Sequence, residues 1–241
     1  MDLFSSVVVM ATSLVGSVVM TVCGFGFGGV VMAVWPYIMP YSQSVAVAAL
    51  CGFTTAFIVV VTNFRYINYK ILVPCMITGL IAAAAAVAVS VGAAEKVMMR
   101  SLGVALMALS FYSIFLGGKI RIKATPLNGM IAGTLAGTLS GLFAVGGPPA
   151  AIYLLSSAEN NDEYRATLNA HFCGTTVFAT IMRIKNGIIT GATLHAWLIA
   201  AVAIVLGIFL GNKIFHRLNG DKLRKIVYAY LAVSGFAMLL K

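Results

Sequence analysis

Residues 140–156 read SGLFAVGGPPAAIYLLS. The flanks of this stretch are apolar enough to lie inside a membrane, yet its centre is Gly146-Gly147-Pro148-Pro149. Such a run cannot continue an α-helix, because glycine leaves the backbone loose and proline lacks an N–H and clashes with the preceding turn. Proline does fit the first turn of a new helix. The stretch therefore predicts one helix stopping near Val145 and another starting near Pro148. Irregular backbone at membrane depth persists only where protein buries it or where it lines a wet cavity. A break of this kind points to a ligand site between discontinuous helices.

The rest of the chain supports the membrane setting. Of 241 residues, 61% are hydrophobic and 9% charged, and mean hydropathy is +1.02. A soluble domain carries about 25% charged residues. The formal charge of +10 does not indicate nucleic acid, because the basic residues fall between apolar runs, as membrane anchors do. Cys23, Cys51, Cys75 and Cys173 all lie in apolar runs without metal spacing, so they read as small core residues. The first residues have a faint signal-peptide character, but Asp2 replaces a basic start and the apolar run extends to about Val22. They are expected to be mature structure.

A second break lies upstream, in CGFGFGGV at Cys23–Val30. An offset of 118 residues places Gly28-Gly29 on Gly146-Gly147, Arg65 on Arg183, Asn68 on Asn186, and the run Leu80–Ala83 on the identical run Leu198–Ala201. Shared offsets of this kind indicate two homologous halves, 1–118 and 119–241. Each half reads as a long apolar run, a glycine break, a short run and three full-length runs. If the short run returns to its starting side, the halves are inverted and the lysines and arginines divide eleven against five between the two faces. If it does not, they divide eight against eight. The positive-inside rule expects an imbalance. The expected fold is thus an all-α polytopic membrane protein with two inverted repeats. Both termini lie outside, and the loops near 63–70, 118–123 and 212–222 are cytoplasmic.

Several motifs carry less than their form suggests. Gly24-Phe-Gly26-Phe-Gly28-Gly29 contains a GxGxxG, but no acidic residue occurs between Asp2 and Glu95, and a dinucleotide fold needs one about 20 residues on. No cofactor is therefore expected. Gly133, Gly137 and Gly141 share a helix face, as do Gly207 and Gly211. Small residues at this spacing let membrane helices approach closely; packing within the chain is the first expectation and a homodimer the second. Glu159, Asp162 and Glu163 read as a solvated loop.

The candidate site follows from charge. All six acidic residues lie outside the apolar runs, so a carboxylate-based cation pathway is disfavoured. Helix N-termini near Val30 and Pro148 would suit an anion. Gly28, Gly29, Gly146, Gly147 and Pro148 are expected to bind it through backbone. Thr54, Thr55, Asn169, His171, Thr175 and Thr176 are expected to complete the site. His171 is the only ionisable group well inside an apolar run, and it could carry a proton or simply bond a neighbouring helix. Arg65 and Arg183 each end a run; they read either as gates that attract anions or as interfacial anchors.

The stretch Gly141–Leu155 followed by Arg165-Ala-Thr-Leu-Asn169 resembles the sulfite exporter TauE/SafE family, also described as TSUP permeases. Arg65-Tyr-Ile-Asn68-Tyr69 and the first glycine cluster are similar to its repeated motif. The family usually has a denser glycine run where this chain has Gly146–Pro149. The resemblance implies a bacterial inner-membrane permease for small sulfur-containing anions such as sulfite and sulfonates. The expected function is secondary transport of such anions, with export the direction the resemblance implies, and not an enzyme. A selective anion channel is the alternative, ahead of a membrane enzyme or a scaffold. His171 near Cys173 is the nearest approach to a catalytic pair, and residues i and i+2 face apart on a helix.

Overall fold

A computed structural model describes residues 2–115, 123–215 and 220–240. All regular structure among them is helical: α1 (Leu3–Cys23), α2 (Phe27–Met32), α3 (Tyr41–Asn63), α4 (Tyr69–Ser90), α5 (Glu95–Phe115), α6 (Pro126–Phe143), α7 (Gly147–Ser157), α8 (Asn161–Lys185), α9 (Gly191–Phe215) and α10 (Gly220–Leu239). Short 3-10 turns sit at Trp35–Tyr37 and Phe64–Tyr66. The expected boundary at 118/119 and much of the basic loops at 118–123 and 212–222 lie outside the described residues.

α1, α4, α9 and α3 with its 3-10 extension are each long and apolar enough to cross a membrane. Their outward faces carry large apolar side chains; Leu198, Val202, Val205 and Phe209 form an exposed stripe along α9. A stripe of this kind would be a liability in water and is the ordinary surface toward lipid. The chain is a polytopic α-helical membrane protein.

At the expected offset of 118 residues, α1–α5 fall on α6–α10 in order. α4 packs along α6, and its mate α9 packs along α1; α4 and α9 also touch α8 and α3 respectively. α3 lies against α8 and α5 against α10. Each half therefore packs chiefly against the other, and the two share one core.

Both small-residue stripes are used in these seams. A Cβ on Gly133, Gly137 or Gly141 would run into backbone carbonyls of Cys75, Gly79 and Ala83 on α4. One on Gly207 or Gly211 would meet Ser17 and Thr21 of α1. Close backbone approach replaces the hydrophobic drive that lipid cannot supply.

The acidic patch is not a free loop. Asn160 caps α8 by accepting from the Glu163 N–H at 2.9 Å, and Asp162 and Glu163 occupy its first turn, where negative charge suits the helix dipole. Asn68 donates to Glu163 Oε1 at 2.7 Å, and its N–H donates to Thr167 Oγ1 at 3.0 Å. The link between α3 and α4 is thereby pinned to α8.

Candidate functional site

The α6–α7 break forms where the sequence expects it. α6 ends at Phe143, Ala144 takes a left-handed conformation (φ 56°), and α7 starts at Gly147 with proline in its first turn. A left-handed alanine costs on the order of 1–3 kcal/mol, so its surroundings must hold it. They do so through the carbonyls. Arg183 on α8 donates to the Gly141 carbonyl at 2.7 Å and to that of Ser140 at 3.5 Å. The Tyr41 hydroxyl donates to the Leu142 carbonyl at 3.0 Å. The Gly141 and Leu142 carbonyls, which the helix end leaves unpaired, are thus satisfied by side chains from two other helices. No acceptor for the N–H groups of Gly146 or Gly147 is found among the described residues. Pro148 and Pro149 contribute no N–H at all, so α7 offers fewer donors than an ordinary helix start.

The first break is displaced from its expected place. α1 is closed by Gly24 (φ 83°), whose N–H donates to the Met20 carbonyl, and Gly26 (φ 112°) starts α2. The new helix thus begins at Phe27, not near Val30, and Gly28-Gly29 lie within its first turn. The left-handed Gly26 corresponds to the left-handed Ala144 at the offset of 118. Gly28 serves close approach instead: a Cβ there would collide with the Ala144 carbonyl. Gly147 in turn abuts the Phe25 side chain at 2.8 Å from an added Cβ. The two breaks meet tip to tip.

Between them is a cavity of about 60 Å³, lined by both breaks and by faces of α3, α8 and α10. A water needs about 10–15 Å³ by this measure, so the space suits a small oxyanion and not a large metabolite. Ser140, Thr176, Tyr228 and Cys23 bring its polar side-chain atoms, and among the described residues none that lines it is charged. Phe25 and Tyr228 form one wall, with ring centroids 6.3 Å apart.

The structure brings Gly28, Gly29, Gly146, Gly147, Pro148 and Thr176 together at this cavity. It places the other expected residues elsewhere. Thr54 accepts from Trp197 Nε1 at 3.1 Å and ties α3 to α9. Thr55 is buried and donates to the Cys51 carbonyl. Asn169 donates to the Arg165 carbonyl, with its Oδ1 buried and unpartnered. His171 and Thr175 face Gly79 on α4, and His171 Nδ1 is buried without a partner. Arg65 is exposed, 5.7 Å from the Phe64 ring centroid, as an interfacial anchor would be. Arg183 is not an anchor: it is buried at the α6 tip. Ser140 and Ala144 were within reach of the sequence, since they belong to the interrupted stretch. Phe25 lies inside the first glycine cluster, whereas Gly52 and Tyr228 carry no motif that would have singled them out.

Gly52 gives a clean probe of the cavity. It lines the space, lies within α3, and an added Cβ would meet nothing within 4 Å. Glycine inside a helix is destabilising by about 0.5–1 kcal/mol relative to alanine. Gly52→Ala is therefore expected to raise thermal stability while lowering flux, because its methyl enters a small cavity. Equal flux with raised stability would remove the cavity from the transport path.

Two interrupted helices meeting inside an apolar bundle are an arrangement used by membrane transporters built on discontinuous helices. The chain belongs to the TauE/SafE family: the family model "Sulfite exporter TauE/SafE" matches residues 9–238. It is similar to a "Probable sulfite/organosulfonate exporter TauE" of Cupriavidus necator, with 23% identity over 236 residues, covering 93% of this chain and 90% of the relative. No solved structure matches the chain.

Proposed function

We propose that this protein is a secondary transporter of the bacterial inner membrane that exports small sulfur-containing anions, sulfite or short organosulfonates, by alternating access around the cavity between the helix tips. The observation that carries the reading is the polar imbalance at the α6 tip. Its carbonyls are bonded by Arg183 and Tyr41, whereas the N–H groups of Gly146 and Gly147 remain beside the cavity. That leaves donors, which suit an anion. Gly28 and Gly29, in the first turn of α2, have no intrahelical acceptor either. The names of the family and of the C. necator relative supply the sulfur chemistry. The exchange of packing partners supports two repeats related by a two-fold axis, and the lysine and arginine imbalance favours the inverted arrangement, whose repeats would rock against one another. Arg65 would attract anions at the cytoplasmic mouth. A homodimer would need a surface other than the two glycine stripes, which the chain itself covers.

His171 is the proposed proton carrier. It lies on the α8–α4 seam, off the cavity, so a proton there would act by changing how α8 sits on α4. The test is uptake of sulfite and of 2-hydroxyethanesulfonate into proteoliposomes, with and without a pH gradient. Saturable flux that the gradient accelerates is expected, with the acceleration lost in His171→Ala. Flux unaffected by both would remove the proton role; absence of flux from folded, inserted protein would remove the sulfur-anion assignment. Exchange of internal for external anion, faster than net flux, separates a transporter from a channel.

A further inference from the structure

A second cavity, of about 290 Å³, opens at one end of the bundle, where α3 begins, α4 passes into α5, and α8 ends. Tyr41, Ser42, Ser90, Glu95, Leu142 and Arg183 are among its lining residues, and it shares none with the cavity between the breaks. Arg183 is 3% exposed. Its Nη2 bonds the α6 carbonyls, while its Nη1 is buried with no hydrogen-bond partner among the described residues. Glu95 does not fill that role: it is exposed, and its carboxylate accepts from the Tyr41 N–H. A guanidinium offers five donors in a rigid fork, and a buried cation left unpaired is costly. A small oxyanion has the charge and the acceptor atoms to complete it.

We propose that this cavity is a second anion site, a vestibule in which a small oxyanion such as a sulfonate is held by Arg183 Nη1. Its assignment to sulfur anions rests on the transport reading above; the site itself rests on the cavity and the free edge of the guanidinium. Arg183 also connects the two cavities. It bonds the carbonyl of Ser140, and Ser140 lines the space between the breaks. An anion arriving at Nη1 competes for the same cation that holds the α6 tip, so occupancy of the vestibule loosens or tightens the inner site. Arg65, the match of Arg183 at the 118-residue offset, is exposed and has no such arrangement. The vestibule therefore belongs to one face of the protein.

The test uses a reporter on the rim. Ser42 is exposed, so Ser42→Cys in the full chain reports access when labelled with a membrane-impermeant maleimide. Unsubstituted protein gives the background from Cys173, which is partly buried, and from the buried cysteines. The protecting ligand is 2-hydroxyethanesulfonate, because sulfite itself attacks maleimides; dimethyl sulfone serves as its neutral analogue. Saturable protection by the sulfonate and not by the sulfone is expected. Arg183→Lys should weaken that protection about tenfold or more, because a compact ammonium lacks the second nitrogen that faces away from the α6 carbonyls. No protection, or equal protection by the sulfone, overturns the site without any appeal to a variant. Protection undiminished in folded Arg183→Lys overturns the role of Arg183. Transport without protection removes the vestibule and leaves the transport reading; protection without transport does the reverse.

Discussion

Gly28→Ala is expected to reduce sulfite flux to background and to lower the melting temperature. The added Cβ would fall on the carbonyl of Ala144, and its next neighbours are also backbone atoms of Ala144 and Val145. No flexible side chain is available to move aside. Overpacking of this kind costs about 1–3 kcal/mol, and here it acts on a tip already held in a left-handed conformation. Any relief must push the two breaks apart, which displaces Gly146 and Gly147 from the cavity. Flux per inserted protein and thermal unfolding in detergent check both effects. Gly52→Ala is the matched control, since it adds the same methyl to the same cavity without a clash. Wild-type flux from Gly28→Ala would mean that the tips are not pressed together in the working protein.

That glycine illustrates what was legible in the sequence. Glycine has two uses, a positive φ and a close approach, and a run of glycines does not say which residue serves which. The cluster therefore announced a break but not its position: Gly24 and Gly26 make the turn, while Gly28 makes the contact. At the second break proline resolved the ambiguity, because a Pro148-Pro149 pair fits a helix's first turn far better than its interior, and the start of α7 was placed to within a residue. On α8 the polar types were legible but their direction was not. Phe172 and Thr176 share one face and His171 and Thr175 another, as spacings of four require. Only packing against α4 decides that the first pair meets the cavity. The role of Arg183 was hidden for a different reason. Its partners are the carbonyls of Ser140 and Gly141, and main-chain groups leave no mark on composition.

Gly137→Val is expected to prevent stable folding, and its effect should exceed that of any single cavity substitution described above. Gly137 lies in the middle of the α4–α6 seam, where an added Cβ would strike the carbonyl and the Cα of Gly79. Gly133 and Gly141 stand one turn to either side, against the carbonyls of Cys75 and Ala83. Relief at Gly137 therefore requires the helices to separate along their whole contact. In lipid that separation has no compensation, since association rests on van der Waals packing and on close contacts between backbones. The seam also determines the site: α6 carries Ser140 and the break at its end, and α4 supplies Gly79 beneath His171. A wedge at Gly137 should thus remove flux and accessible protein together, whereas Gly28→Ala should remove flux from protein that still assembles. Size-exclusion profiles and membrane yields distinguish the two. Normal yield and melting for Gly137→Val would show that α4 and α6 tolerate a wider spacing than this fold has.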